Sequence, residues 1–153
     1  MFPDFEKIIS QAIELVDSVP EYGKVAGRLR LLRVEYLPSL PDRAHATLQS
    51  QIIVGPKALT NLDKGLFSLA GTLVHEEFHT RQNPLLKTAS FWTGVFTRTP
   101  VMARYEWPAY RAQVAFLRAL ARSQPTLAGL VEREITSIVE SAHRYYGRPA
   151  EEL

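Results

Sequence analysis

No segment restricts this chain as tightly as Leu73-Val-His75-Glu76-Glu77-Phe78-His79. Apolar residues recur around it at helical spacing. They predict a helix from about Asp63 or Leu66 to Gln82, stopped by Asn83-Pro84. On a helix, residues i and i+4 share a face one turn apart. His75 and His79 can therefore converge on one ion, at the roughly 2.0–2.1 Å of a zinc–nitrogen bond. Glu76 lies further round the helix. Its carboxylate can reach a water in the metal's open position and serve as that water's base. The competing reading is a helix carrying two core or solvated histidines and a surface pair of glutamates. With 4 His and 12 Glu in the chain, this spacing arises by chance on the order of one time in a hundred. The predicted helix and Gly71, one turn before His75, give it a fitting context.

Two histidines need a third ligand. In zincins whose motif helix continues H-x-x-G-x-x-H, a third histidine follows; here those places hold Gln82 and Leu85. The aspartates Asp4, Asp17, Asp42 and Asp63 all precede the motif. Downstream stand Glu106, Glu132, Glu134, Glu140, Glu151, Glu152 and His143. Glu106 is favoured because it opens the next strong helical pattern, where Glu106, Tyr110, Gln113 and Leu117 share a face. Glu134 lies within the stripe of the last helix, as a boundary carboxylate or a partner for a ligand histidine. Tyr110 is the leading candidate to donate to a developing oxyanion, ahead of Tyr105, Tyr145 and His143.

The remaining pattern predicts one α+β domain over 1–153, with strands early and helices late. Asp4 can cap a helix to about Ser18, with Phe5, Ile8, Ile9, Ala12, Ile13 and Val16 on one stripe. Arg28–Tyr36 reads as a strand, and Arg28, Arg30 and Arg33 as its solvated face. His45–Val54 reads as a second, half-polar edge strand. Residues 85–102 suggest a short helix with loops, packed on the core or forming a flap. A helix starting near Arg104–Trp107 takes Pro108 in its first turn and runs to about Arg122. Thr126 caps a last helix ended by Gly147 and Pro149.

The strand Ile52-Ile-Val-Gly-Pro, the segment Thr72–Gln82 and Glu106-Trp-Pro-Ala-Tyr110 together resemble the gluzincin class of zincin metallopeptidases. The similarity is greatest to small single-domain members of minigluzincin type. It spans roughly residues 52–113, less than half of the chain. It implies a zincin-like fold: a small twisted sheet with an edge strand above a cleft, a motif helix below, a second ligand-bearing helix, and flanking N- and C-terminal helices. By the same resemblance His75, His79 and Glu106 bind zinc and Glu76 is the general base. Two positions depart from the family. Glu77 stands where an uncharged residue is usual. Tyr110 stands where larger gluzincins carry an aspartate one turn after the ligand glutamate.

Composition narrows the chemistry further. There are no cysteines, which excludes disulfides, thiolate metal sites and thiol nucleophiles. The net charge of +2 rests on 13 Arg and 5 Lys without any like-charge run, so no nucleic-acid partner is indicated. The N-terminus has no basic segment before an apolar block, and no stretch approaches the ~20 apolar residues of a membrane span. A cytoplasmic location is expected. The expected function is zinc-dependent hydrolysis of a peptide or protein, the extended substrate adding to an edge strand near Gln49–Val54. The alternative from another class is a zincin scaffold that holds metal for binding or regulation with little turnover. A basic nucleic-acid module is the weaker third reading.

Overall fold

Helix α1 (Phe5–Asp17) buries Ile9, Ala12, Ile13 and Val16, the stripe that its sequence displays. The computed structural model describes residues 4–82, 88, 100–146 and 153. After α1 come α2 (Gly23–Leu31), β1 (Val34–Tyr36), β2 (Ala44–Ala46), β3 (Ile52–Val54), α3 (Phe67–Thr80), α4 (Pro100–Ser123) and α5 (Ala128–Tyr146). The architecture is α+β, mostly helical, with a small mixed sheet of three strands ordered β1-β3-β2. No helix among the described residues is long and apolar enough to cross a membrane. The short helix and loops expected over residues 85–102 lie almost wholly outside the described residues.

Both strand expectations need correction. The expected strand Arg28–Tyr36 is a helix up to Leu31 and a strand only from Val34. In α2 the buried residues are Ala26 and Leu29, three apart, a helical rather than an alternating spacing. Arg28 and Arg30 therefore project from a helix. The expected strand His45–Val54 is a hairpin. Thr47 and Ser50 close a turn, the Ser50 N–H donating to the Thr47 carbonyl at 3.0 Å, and Ala46 pairs with Ile52. Cross-strand partners point to the same side of a sheet. Ala46 and Ile52 are six residues apart, so one strand and a hairpin give the same odd–even pattern.

The consequence for the sheet is direct. β3 pairs parallel with β1 and antiparallel with β2, so it is the central strand. Its two sides are taken, and the Gln49–Val54 edge expected to receive a substrate is not an edge. β2 occupies that position and packs against α3. Ile52 and Val54 turn into the core. Gly55 follows, where a Cβ would stand 2.5 Å from the Asp42 carbonyl oxygen. Only glycine fits so close an approach, and it lets the chain leave the sheet toward α3.

α3 is the central element, packing on α4, α1, α2 and β2. Its Leu69, Ala70 and Leu73 are fully buried in one core with Val114, Phe116 and Leu117 of α4 and Val131 and Ile135 of α5. Gly71 faces Gln113 and Leu117, whose side chains would lie 3.4–3.5 Å from a Cβ placed there. The small residue thus brings α4 close alongside the motif helix. α4 begins at Pro100, before the expected start, so Pro108 sits inside the helix rather than in its first turn. It has no N–H to donate to the Arg104 carbonyl one turn back, in the turn that carries Glu106. Thr126 lies in a 3-10 turn, Pro125–Leu127, and does not cap α5.

Candidate metal centre

His75 and His79 leave the C-terminal half of α3 on its α4 side, and Glu106 meets them from α4. His75 Nε2 and His79 Nε2 stand 3.1 Å apart. Glu106 Oε2 lies 3.0 Å from the first and 3.2 Å from the second. Among the described residues these three form the group of side chains able to hold a metal ion. Tetrahedral ligands at bonds of about 2.0–2.1 Å stand roughly 3.3 Å apart. The observed triangle is close to that size.

The far nitrogens of both rings are occupied. His75 Nδ1 lies 3.1 Å from Gln113 Oε1, and His79 Nδ1 is hydrogen-bonded to Gln82 Oε1. An amide oxygen only accepts, so each Nδ1 carries the hydrogen and donates. In the neutral rings both Nε2 atoms then present lone pairs to each other and to a carboxylate oxygen. Three acceptors converging in a buried space are able to hold a cation between them, and a donor set of two imidazoles and one carboxylate suits zinc.

Electrostatics point the same way. Burial disfavours a charged His75, but its bond to Glu106 and the charges of Glu76 and Glu106 outweigh burial and raise its pKa. Burial likewise opposes an ionised Glu106, yet the bonds to His75 and His79 prevail and hold it well below the usual carboxylate range. The site favours positive charge at its centre.

Glu76 is 6% exposed, and no described residue donates a hydrogen bond to its carboxylate. Its charge reaches His75, Tyr105 and Tyr110, which places it in the same space. Tyr110 packs edge-on against His75, ring centroids 4.7 Å apart, and Tyr105 stacks on His79 at 4.0 Å. Burial, with the charges of Glu106 and Glu76 close by, pushes both phenols up, so each keeps its proton and can donate. Tyr146, 6.2 Å from Tyr110 ring to ring, extends the aromatic wall.

Of the other candidates, Glu132, Glu140, His143 and Tyr145 are exposed on α5, and Glu151 and Glu152 lie outside the described residues. Glu134 accepts a hydrogen bond from Ser68 Oγ at 2.7 Å, near the other end of α3, rather than one from a ligand histidine. Two features escaped the sequence. Gln82 lies just past the end of α3, where its N–H donates to the His79 carbonyl at 3.2 Å and folds it back toward the ring. Glu77 is fully buried and paired with Arg28 and Arg81. Only the Arg81 pairing is visible as an i,i+4 spacing. Arg28 belongs to α2 and does not serve as a solvated strand residue.

No protein-family model, curated protein or solved structure matches the chain.

Proposed function

We propose that this chain is a zinc-dependent hydrolase of gluzincin type that cleaves peptide bonds, with a zincin-like fold. The observation that carries the proposal is the Nε2, Nε2, Oε2 triangle of His75, His79 and Glu106, with both Nδ1 hydrogens already committed to glutamine amides. His75, His79 and Glu106 would hold the ion, which when bound would polarise a substrate carbonyl and make water more acidic. Glu76 supplies the base. With no donor from the described residues to occupy it, its carboxylate is available to take a proton from the attacking water and return it to the leaving amine. Tyr110 and Tyr105, kept protonated, offer phenol hydrogens beside the two imidazoles, where negative charge on a substrate oxygen would be stabilised. The sheet edge beside the motif helix is β2, and an extended peptide would pair there.

The test is cleavage of a broad peptide library, read by mass spectrometry, with wild type and Glu76→Gln side by side. Cleavage by wild type alone, with both proteins retaining metal, is the expected result. Equal activity of Glu76→Gln would contradict the mechanism. A wild type that retains metal and cleaves nothing would assign the site to a binding or regulatory scaffold.

A further inference from the structure

Gln82 uses both ends of its amide. Its Nε2 donates to the Tyr105 carbonyl at 2.7 Å, and its Oε1 accepts from His79 Nδ1. The carbonyl can only accept, so the nitrogen must face Tyr105 and the oxygen must face His79. That orientation fixes the hydrogen on Nδ1 and leaves Nε2 unprotonated toward Glu106 and His75. Tyr105 immediately precedes Glu106 on α4, so one side chain joins the ring of one candidate ligand to the backbone presenting another. The Tyr105 ring completes the grip, stacked on His79 at an interplanar angle of 15°. Gln113 differs. Its Oε1 accepts from His75 Nδ1, and no described residue accepts from its Nε2.

We propose that Gln82 is a two-handed positioning residue that sets the tautomer of His79 and ties it to the turn carrying Glu106, whereas Gln113 acts on His75 through its oxygen alone. The effect on metal binding rests on the function proposed above; the effect on the tautomer does not. A glutamate at position 82 would still accept from His79 but would set an oxygen against the Tyr105 carbonyl. A glutamate at position 113 would keep the one bond that matters and make the His75 imidazole a more basic ligand.

Gln82→Glu, Gln82→Met and Gln113→Glu decide this through two measurements. The first is zinc affinity by chelator competition. The second is the ring tautomer of each histidine in the metal-free protein, from imidazole nitrogen NMR at a pH where the rings are neutral. The methionine variant keeps the side-chain volume without either hydrogen bond, which separates the bonds from packing. Gln82→Glu and Gln82→Met are expected to weaken zinc by about 10–100-fold, the usual cost of losing a ligand's hydrogen-bond partner. Gln113→Glu should bind at least as tightly as wild type. Gln82→Met should mix the His79 tautomers and leave those of His75 unchanged. Wild-type affinity in both position-82 variants, or an unaltered His79 tautomer in Gln82→Met, overturns the clamp. A wild type without zinc affinity contradicts the metal centre instead, and the tautomer measurement still decides the role of Gln82.

Discussion

Glu76 and Glu77 are adjacent on one helix, almost equally buried, and held in opposite ways. Glu77 is 0% exposed, with Arg28 of α2 on one oxygen and Arg81, which follows α3, reaching both. Glu76 is 6% exposed, and among the described residues none donates to it. A helix turns about 100° per residue, so the two carboxylates face different surroundings. A buried carboxylate costs stability unless it is paired. Glu77 is paired and fixes α2 against the motif helix. Glu76 has no such partner, and its charge is felt at His75, Tyr105 and Tyr110. The contrast is between a buried carboxylate that is paired and one that has no donor among the described residues.

The largest effect should come from Glu76, the base of the proposed reaction. Glu76→Gln is near in size and should lower the peptide-cleavage rate by about 10²–10⁴-fold, the usual contribution of a general base. It should keep the metal and change unfolding stability by less than about 1 kcal/mol, since no described partner is lost. Loss of fold in Glu76→Gln, seen by circular dichroism, would erase the distinction from Glu77.

Next comes the converse on the other face. Arg28→Ala/Arg81→Ala leaves the Glu77 charge buried and unpaired, and should cost about 3–5 kcal/mol in denaturant unfolding. Residual folded protein should keep its zinc. A loss below about 1 kcal/mol would show that Glu77 does not depend on the pair.

Tyr110→Phe should have a smaller effect, lowering kcat by roughly 10- to 1000-fold with KM nearly unchanged, if the phenol donates to the transition state. Weakened zinc binding alongside the lost rate would instead make Tyr110 a support for His75. Normal kinetics would reduce it to packing.

The smallest effect is the pH dependence of the metal-free protein. Folding raises the pKa of His75, so its contribution is fully present below the ordinary histidine value and is lost as pH rises through the raised one. Folding lowers that of Glu106, so its contribution is present above the ordinary carboxylate value and is lost as pH falls toward the lower one. Stability in chelator should therefore fall off on both sides of a maximum between roughly pH 4.5 and 6.5. Thermal melts that rise steadily from pH 5 to 8 without metal would contradict this arrangement around Glu106.

How far the sequence goes depends on whether an interaction is local. α1 and α5 are legible because each carries an apolar stripe at helical spacing, and α3, buried nearly all round, because its apolar run ends at Asn83-Pro84. The meeting of His75 and His79 is legible because one helix sets their spacing, and that of Glu106 with them because it opens the next strong helical pattern after the motif. The hairpin was hidden by parity: Ala46 and Ile52 keep the same face with or without the turn at Thr47–Ser50. α2 was hidden because Arg28-Leu29-Arg30-Leu31 mimics the alternation of a strand. The pairing of Glu77 with Arg28 spans 49 residues and leaves no local trace. The partners of the two histidines were not legible: Gln113 lies 38 residues from His75, and Gln82 lies just past the end of the motif helix.

The most direct test of the centre is zinc stoichiometry after dialysis at neutral pH, by elemental analysis, in wild type, His75→Ala/His79→Ala and Glu106→Ala. The expected result is about one zinc per chain in wild type, none in the double variant, and a strongly weakened site in Glu106→Ala. Stoichiometric zinc retained by the double variant, or no zinc in wild type, would contradict a metal centre at His75, His79 and Glu106.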